Sequence, residues 1–175
     1  IATGPRTINI TKPFDQIPMW HRKGGILITT DSKAQRISDQ DWSELTLHAF
    51  PSESASVSSR RLVAEERTTE VKLTTDEAGV VSVPIVPLGS AVAAGRAWRL
   101  RIHLSPTQRV AKAYVDGAEM LPNALQHTEP SKDCTTTFPF EGVGAAPACK
   151  AGPVAELFIP VSAAPRIIKF TLRAL

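Results

Sequence analysis

Fourteen prolines scattered through 175 residues constrain this chain more than any other feature. Inside a helix, proline removes a backbone donor and clashes with the preceding turn, so long uninterrupted helices do not fit between them. Strand edges and turns accept proline more readily, which favours short strands joined by turns. An apolar fraction of 42% is ordinary for a globular protein and supports a buried core.

Period-two segments supply the strands. Thr7-Ile8-Asn9-Ile10-Thr11 alternates apolar and polar residues, and Gly25-Ile26-Leu27-Ile28-Thr29 is an apolar run suited to burial on both faces. Glu44 to Phe50 puts Leu45, Leu47 and Ala49 on one side. Thr69 to Leu73, a turn at Asp76-Glu77-Ala78-Gly79 and Val80 to Ile85 predict a hairpin. From Trp98 to Leu104 the apolar residues point inward, leaving Arg99, Arg101 and His103 facing out. Val110 to Val115 runs into Asp116-Gly117, residues that accept the positive φ angles of a tight turn. Leu157 to Ile159 and Ile167 to Leu172 close the series. Ser58 to Glu66 is the best helical stretch, but its narrow apolar stripe predicts one short turn at most. Val86 to Gly95 reads as a loop, within one domain or between two. The pattern predicts an all-β protein of sandwich type.

The net charge of +3 is a small surplus of 20 basic over 17 acidic residues, with no basic stripe of the kind that binds nucleic acid. No apolar run reaches the ~20 residues of a membrane-spanning helix. The opening Ile1-Ala2-Thr3-Gly4 carries neither an initiator methionine nor a signal-peptide pattern, as expected of a processed or trimmed chain. Asn9-Ile10-Thr11 is an N-glycosylation acceptor, which points to the secretory route; chance occurrence is the alternative. Cys134 and Cys149 enclose a short glycine- and alanine-rich segment. A disulfide there would contribute about 3 kcal/mol in the chain-entropy picture; two buried thiols are the other reading.

No catalytic constellation is visible in the sequence. His48 and His103 fall on the outward phases of strands, His21 sits among basic neighbours, and His127 lies in a loop. Acid pairs at Asp39/Asp41, Glu65/Glu66 and Asp76/Glu77 read as solvated turns. No histidine or cysteine spacing matches a zinc site, and nothing calls for a cofactor or metal. Trp42, just ahead of a strand, is a weak candidate for a sugar-stacking platform, with core packing as the alternative.

The stretch Thr11-Lys12-Pro13-Phe14-Asp15-Gln16-Ile17-Pro18-Met19-Trp20-His21-Arg22-Lys23-Gly24-Gly25-Ile26-Leu27-Ile28 resembles the segment that follows the catalytic barrel in glycoside hydrolase family 31, the α-glucosidase and α-xylosidase family. Pro13, Phe14, Asp15, Ile17, Pro18, Arg22, Gly24, Gly25, Ile26 and Ile28 carry the match. Leu45 to Pro51 is similar to the next strand of that family's proximal sandwich, and Arg96 to Leu104 with Val115-Asp116-Gly117 to its distal sandwich. The leucine/tyrosine-aspartate-aspartate-glycine turn usual in the family has no counterpart in Ser54 to Arg67.

The resemblance implies two antiparallel β-sandwich domains, a proximal one over 1–67, complete in itself or completed by a partner chain, and a distal one over 68–175. It also implies a partner: a (β/α)8 barrel, in the same enzyme, that holds the nucleophile and acid/base aspartates of a retaining α-glucosidase and meets the carbohydrate substrate. No catalytic position carries over to this chain. Asp15, Trp20 and Arg22 are implied as contacts at the junction with that barrel, Asp15 and Arg22 through charge-assisted hydrogen bonds. An independent secreted module that binds a sugar or a protein is the alternative.

Overall fold

A computed structural model of the chain describes residues 22–30, 36–65, 67–88, 96–121, 124–128 and 153–174. The strands are β1 (Gly25–Thr29), β2 (Glu44–Phe50), β3 (Ser56–Ala64), β4 (Arg67–Thr75), β5 (Val80–Leu88), β6 (Arg96–His103), β7 (Gln108–Val115), β8 (Ala118–Glu119), β9 (Gln126–Thr128), β10 (Val154–Ser162) and β11 (Arg166–Ala174). A 3-10 turn occupies Ile37–Asp39, and no α-helix occurs among the described residues. The expected strand at Thr7 to Thr11 lies outside those residues.

The strands form two sheets, ordered β1-β2-β6-β10-β9 and β3-β4-β5-β11-β7-β8. Every pairing is antiparallel except β2 with β6, whose parallel register sets Leu45 beside Trp98, Leu47 beside Leu100 and Ala49 beside Ile102. These inward residues of the first sheet meet Val71, Leu73, Val81, Val83, Ile168 and Phe170 of the second in one buried cluster. Leu47, Leu100, Val83 and Phe170 are wholly excluded from water. Each such side chain contributes about 1.5–3 kcal/mol of burial. The alternation read from the sequence for β2 and β6 is thus the alternation between this core and the outer face.

The stretch expected to form a short helical turn is instead the edge strand β3. It pairs with β4 along its length, from Ser56 beside Thr75 to Ala64 beside Arg67. The sparse apolar stripe has a simple cause: an edge strand needs only Leu62 and Ala64 directed toward the core, while Val57 and Val63 stay exposed. Glu65, at φ 51°, turns the chain from β3 towards β4.

The expected boundary at 67/68 falls at the start of β4, the second strand of this hairpin. β2 lies beside β6, and the buried cluster runs from Ile26 to Phe170. Among the described residues a single core spans that boundary.

Prolines have left a mark inside the second sheet. The β4–β5 ladder holds at Val71 beside Ile85 and at Thr74 beside Ser82, but lapses between them, opposite Pro84. On the other side of β5 the register with β11 runs straight through, with Ile167 beside Pro84. A proline has no N–H to donate, so it survives in an interior strand only where one ladder gives way.

Candidate functional site

Arg22, Lys23, Gly24 and Gly25 are the described start of the family-like string, and they build a tight turn into β1. The Arg22 carbonyl accepts the Gly25 N–H at 3.0 Å, and Gly24 adopts φ 77°, a region that favours glycine. A Cβ on Gly25 would stand 2.7 Å from the Arg22 carbonyl oxygen, so neither glycine is replaceable without movement. Lys23 pairs with Glu53, and the Ser105 hydroxyl approaches the same carboxylate at 3.5 Å. The Arg22 side chain is exposed. Asp15, Trp20, Asn9, Cys134 and Cys149 lie outside the described residues.

Trp42 is half-buried and packs against the core cluster. Its carbonyl has a second task that the sequence does not advertise. It accepts a hydrogen bond at 2.6 Å from the guanidinium of Arg96, which is only 3% exposed and also donates to the Ala64 carbonyl. Trp42 precedes β2 in the first sheet and Ala64 ends β3 in the second, so Arg96 ties the two sheets together at one end. Burial pushes its proton affinity down, nearby Arg67 adds to this, and Glu65 opposes it.

On the outer face of the first sheet, Thr29, His48 and His103 form a hydrogen-bonded chain. Thr29 Oγ1 lies 3.1 Å from His48 Nε2, and His48 Nδ1 lies 2.9 Å from His103 Nε2. The two imidazole centroids are 5.2 Å apart with planes only 24° off parallel. The centroid separation exceeds the nitrogen separation by roughly the width of one ring, so the rings meet edge to edge and the N–H of one aims at the lone pair of the other. Phe50 stacks on His103 with centroids 4.4 Å apart and planes 14° off parallel. Both histidines lie on the outward phase, as the sequence indicates, yet they are half-buried and bonded to each other instead of simply solvated. Only the parallel β2–β6 register, with His48 beside Arg101, brings His103 within reach.

An ionic ladder continues across the same face. Arg99 contacts Glu44 at 2.7 Å and Glu156 at 3.6 Å, while Arg101 donates to Glu156 at 2.7 Å. Partly exposed pairs of this kind contribute little individually, about 0–1 kcal/mol. A hydroxyl, an imidazole and an orienting group in sequence is the connectivity of a nucleophilic relay. Here the guanidinium groups on the same face already engage carboxylates, which leaves them poorly placed to meet a developing oxyanion. Among the described residues no group of three or more histidine, cysteine, aspartate or glutamate side chains is placed to hold a metal ion. No helix there is long and apolar enough to cross a membrane.

The protein is therefore an all-β sandwich whose polar outer face holds a histidine pair and an ionic ladder. Its fold is similar to part of a glycoside hydrolase family 31 dextranase from Flavobacterium johnsoniae with bound glucose, at a TM-score of 0.50 and 13% identity. The likeness covers 85% of this chain and 19% of the dextranase, so the chain spans about a fifth of that enzyme. A variant of the same dextranase with isomaltotriose gives a TM-score of 0.49 at 15% identity, covering 85% of this chain and 19% of that one. An α-1,4-glucan lyase from Gracilariopsis lemaneiformis gives 0.42 at 11% identity, covering 73% and 13%. No family model matches the sequence, and no curated protein matches it.

Proposed function

We propose that this chain is the non-catalytic C-terminal β-sandwich portion of an α-glucosidase-like glycoside hydrolase acting on α-linked glucosides. It packs on and supports a catalytic (β/α)8 barrel carried by another chain or another segment. The observation that carries this reading is the asymmetry of the dextranase match, which takes in 85% of this chain but only 19% of that enzyme. The Pro13 to Ile28 string supports it independently, because its Gly24-Gly25 pair forms a turn that ordinary side chains would disrupt. The reading carries with it a secretory location, glycosylation at Asn9 and a Cys134–Cys149 bridge.

Purification of the native protein under mild conditions tests the proposal. Co-purification of a barrel-bearing polypeptide, or of one longer chain containing these residues, with activity on a chromogenic α-glucoside is the expected result. A stable monomer of this chain with no such companion overturns it, and so does hydrolysis by this chain alone. Mass measurement before and after deglycosylation and reduction tests Asn9 and the cysteines separately.

A further inference from the structure

We propose that Thr29, His48 and His103 form a proton-dependent latch joining β1, β2 and β6 on the outer face of the first sheet. The three residues come from three neighbouring strands, and the two hydrogen bonds between them, at 3.1 and 2.9 Å, cross both strand pairings. β1 is an edge strand bonded to β2, so the Thr29–His48 contact adds a side-chain tie where the sheet has one backbone ladder.

The proton count follows from the donor inventory of imidazole. With both rings neutral, one facing nitrogen donates and the other accepts. One further proton fits without loss: a charged His48 donates from Nδ1 to His103 Nε2 and from Nε2 to the Thr29 hydroxyl oxygen. A second puts two N–H groups face to face across 2.9 Å, and the bond between the rings is lost. The latch is therefore strongest when the pair holds a single added proton and fails when it holds two.

The surroundings sharpen this preference. Among the described residues, the charged groups on the neighbouring strands are Glu44 on β2, Arg99 and Arg101 on β6, and Glu156 on β10, together with Arg96, which is buried at the far end of β6 against the Trp42 and Ala64 carbonyls. Lys23 and Glu53 lie in the adjoining turns. Arg101 sits beside His48 in the register and is itself paired to Glu156, so its charge is largely offset where it lies nearest the pair. Phe50 stacked on His103 fixes the ring that receives the bond. The inference holds whether or not the chain serves a hydrolase.

The test is an NMR titration of the imidazole carbon-bound protons of the intact chain, with amide exchange in β1 followed in parallel. The wild-type pair is expected to take up two protons in steps separated by more than about tenfold in proton affinity, as strongly coupled sites do. Exchange at the Leu27 and Thr29 amides is expected to accelerate through the second step only. In His103→Gln, His48 is expected to titrate in one step at an altered pH. Two wild-type histidines that titrate together as independent groups overturn the proposal, as does a His48 curve unchanged in a folded His103→Gln chain. Should that variant fail to fold, the wild-type titration decides alone.

Discussion

Arg96 carries its charge into the end of the sandwich and there donates to two main-chain carbonyls, those of Trp42 and Ala64. Arg96→Met is expected to lower the unfolding free energy by about 2–4 kcal/mol, measured by urea denaturation. Arg96→Lys recovers only part of this, since an ammonium cannot present the planar fork that reaches both oxygens. Gly25→Ala is expected to cost about 1–3 kcal/mol, because its methyl group collides with backbone and not with a movable side chain. Asp116 controls an acid response. Arg166 and the Ile167 N–H hold its carboxyl below the ordinary range, so the folded state binds this proton less readily than the unfolded chain. That stability is present above the unfolded value, about 3.9, and is lost as pH falls through the folded one. Urea midpoints measured toward acid pH should therefore fall less steeply in Asp116→Asn than in the wild type.

At the scale of elements, the turns were the most legible features. Asp116-Gly117 takes φ 52° and 86°, and Gly79 takes φ 77°, as the residue types indicate. Gly117→Ala is expected to destabilise the β7–β8 hairpin by about 1 kcal/mol, read from the thermal midpoint. β3 is not legible in the sequence because propensity and a weak stripe cannot register a partner strand. Its ladder with β4 predicts that amides of alternate residues within Ser56–Ala64 resist hydrogen exchange while their neighbours exchange rapidly. A helical turn there would protect successive amides instead. The outward phases of β2 and β6 were likewise plain, but the pairing of His48 with His103 depends on which strands are neighbours.

For the whole molecule, the shared core makes a specific demand on unfolding. Leu100 in the first sheet and Phe170 in the second are both fully buried in the same cluster. Leu100→Ala and Phe170→Ala are each expected to cost about 2–5 kcal/mol. Both should shift one cooperative transition, followed by tryptophan fluorescence and by far-ultraviolet circular dichroism together. Separate transitions at the two probes would indicate independently folding halves. The resemblance to a hydrolase family rests at this scale too. The string from Thr11 to Ile28 carries the resemblance, and the fold is similar to part of a dextranase over about a fifth of that enzyme's length.

The sequence by itself determined that the chain is all-β, which residues of β2 and β6 face inward, and that turns fall at Asp76-Glu77-Ala78-Gly79 and Asp116-Gly117. Those properties depend on neighbours along the chain: proline's missing donor, glycine's access to positive φ, and a side-chain period of two. Only the tertiary structure decided that β2 lies parallel to β6, that Arg96 ties one sheet to the other, and that two outward histidines meet within hydrogen-bonding distance. Each of these needs residues distant in the chain to meet, and the free energy that selects the meeting comes from closing one apolar core around both sheets.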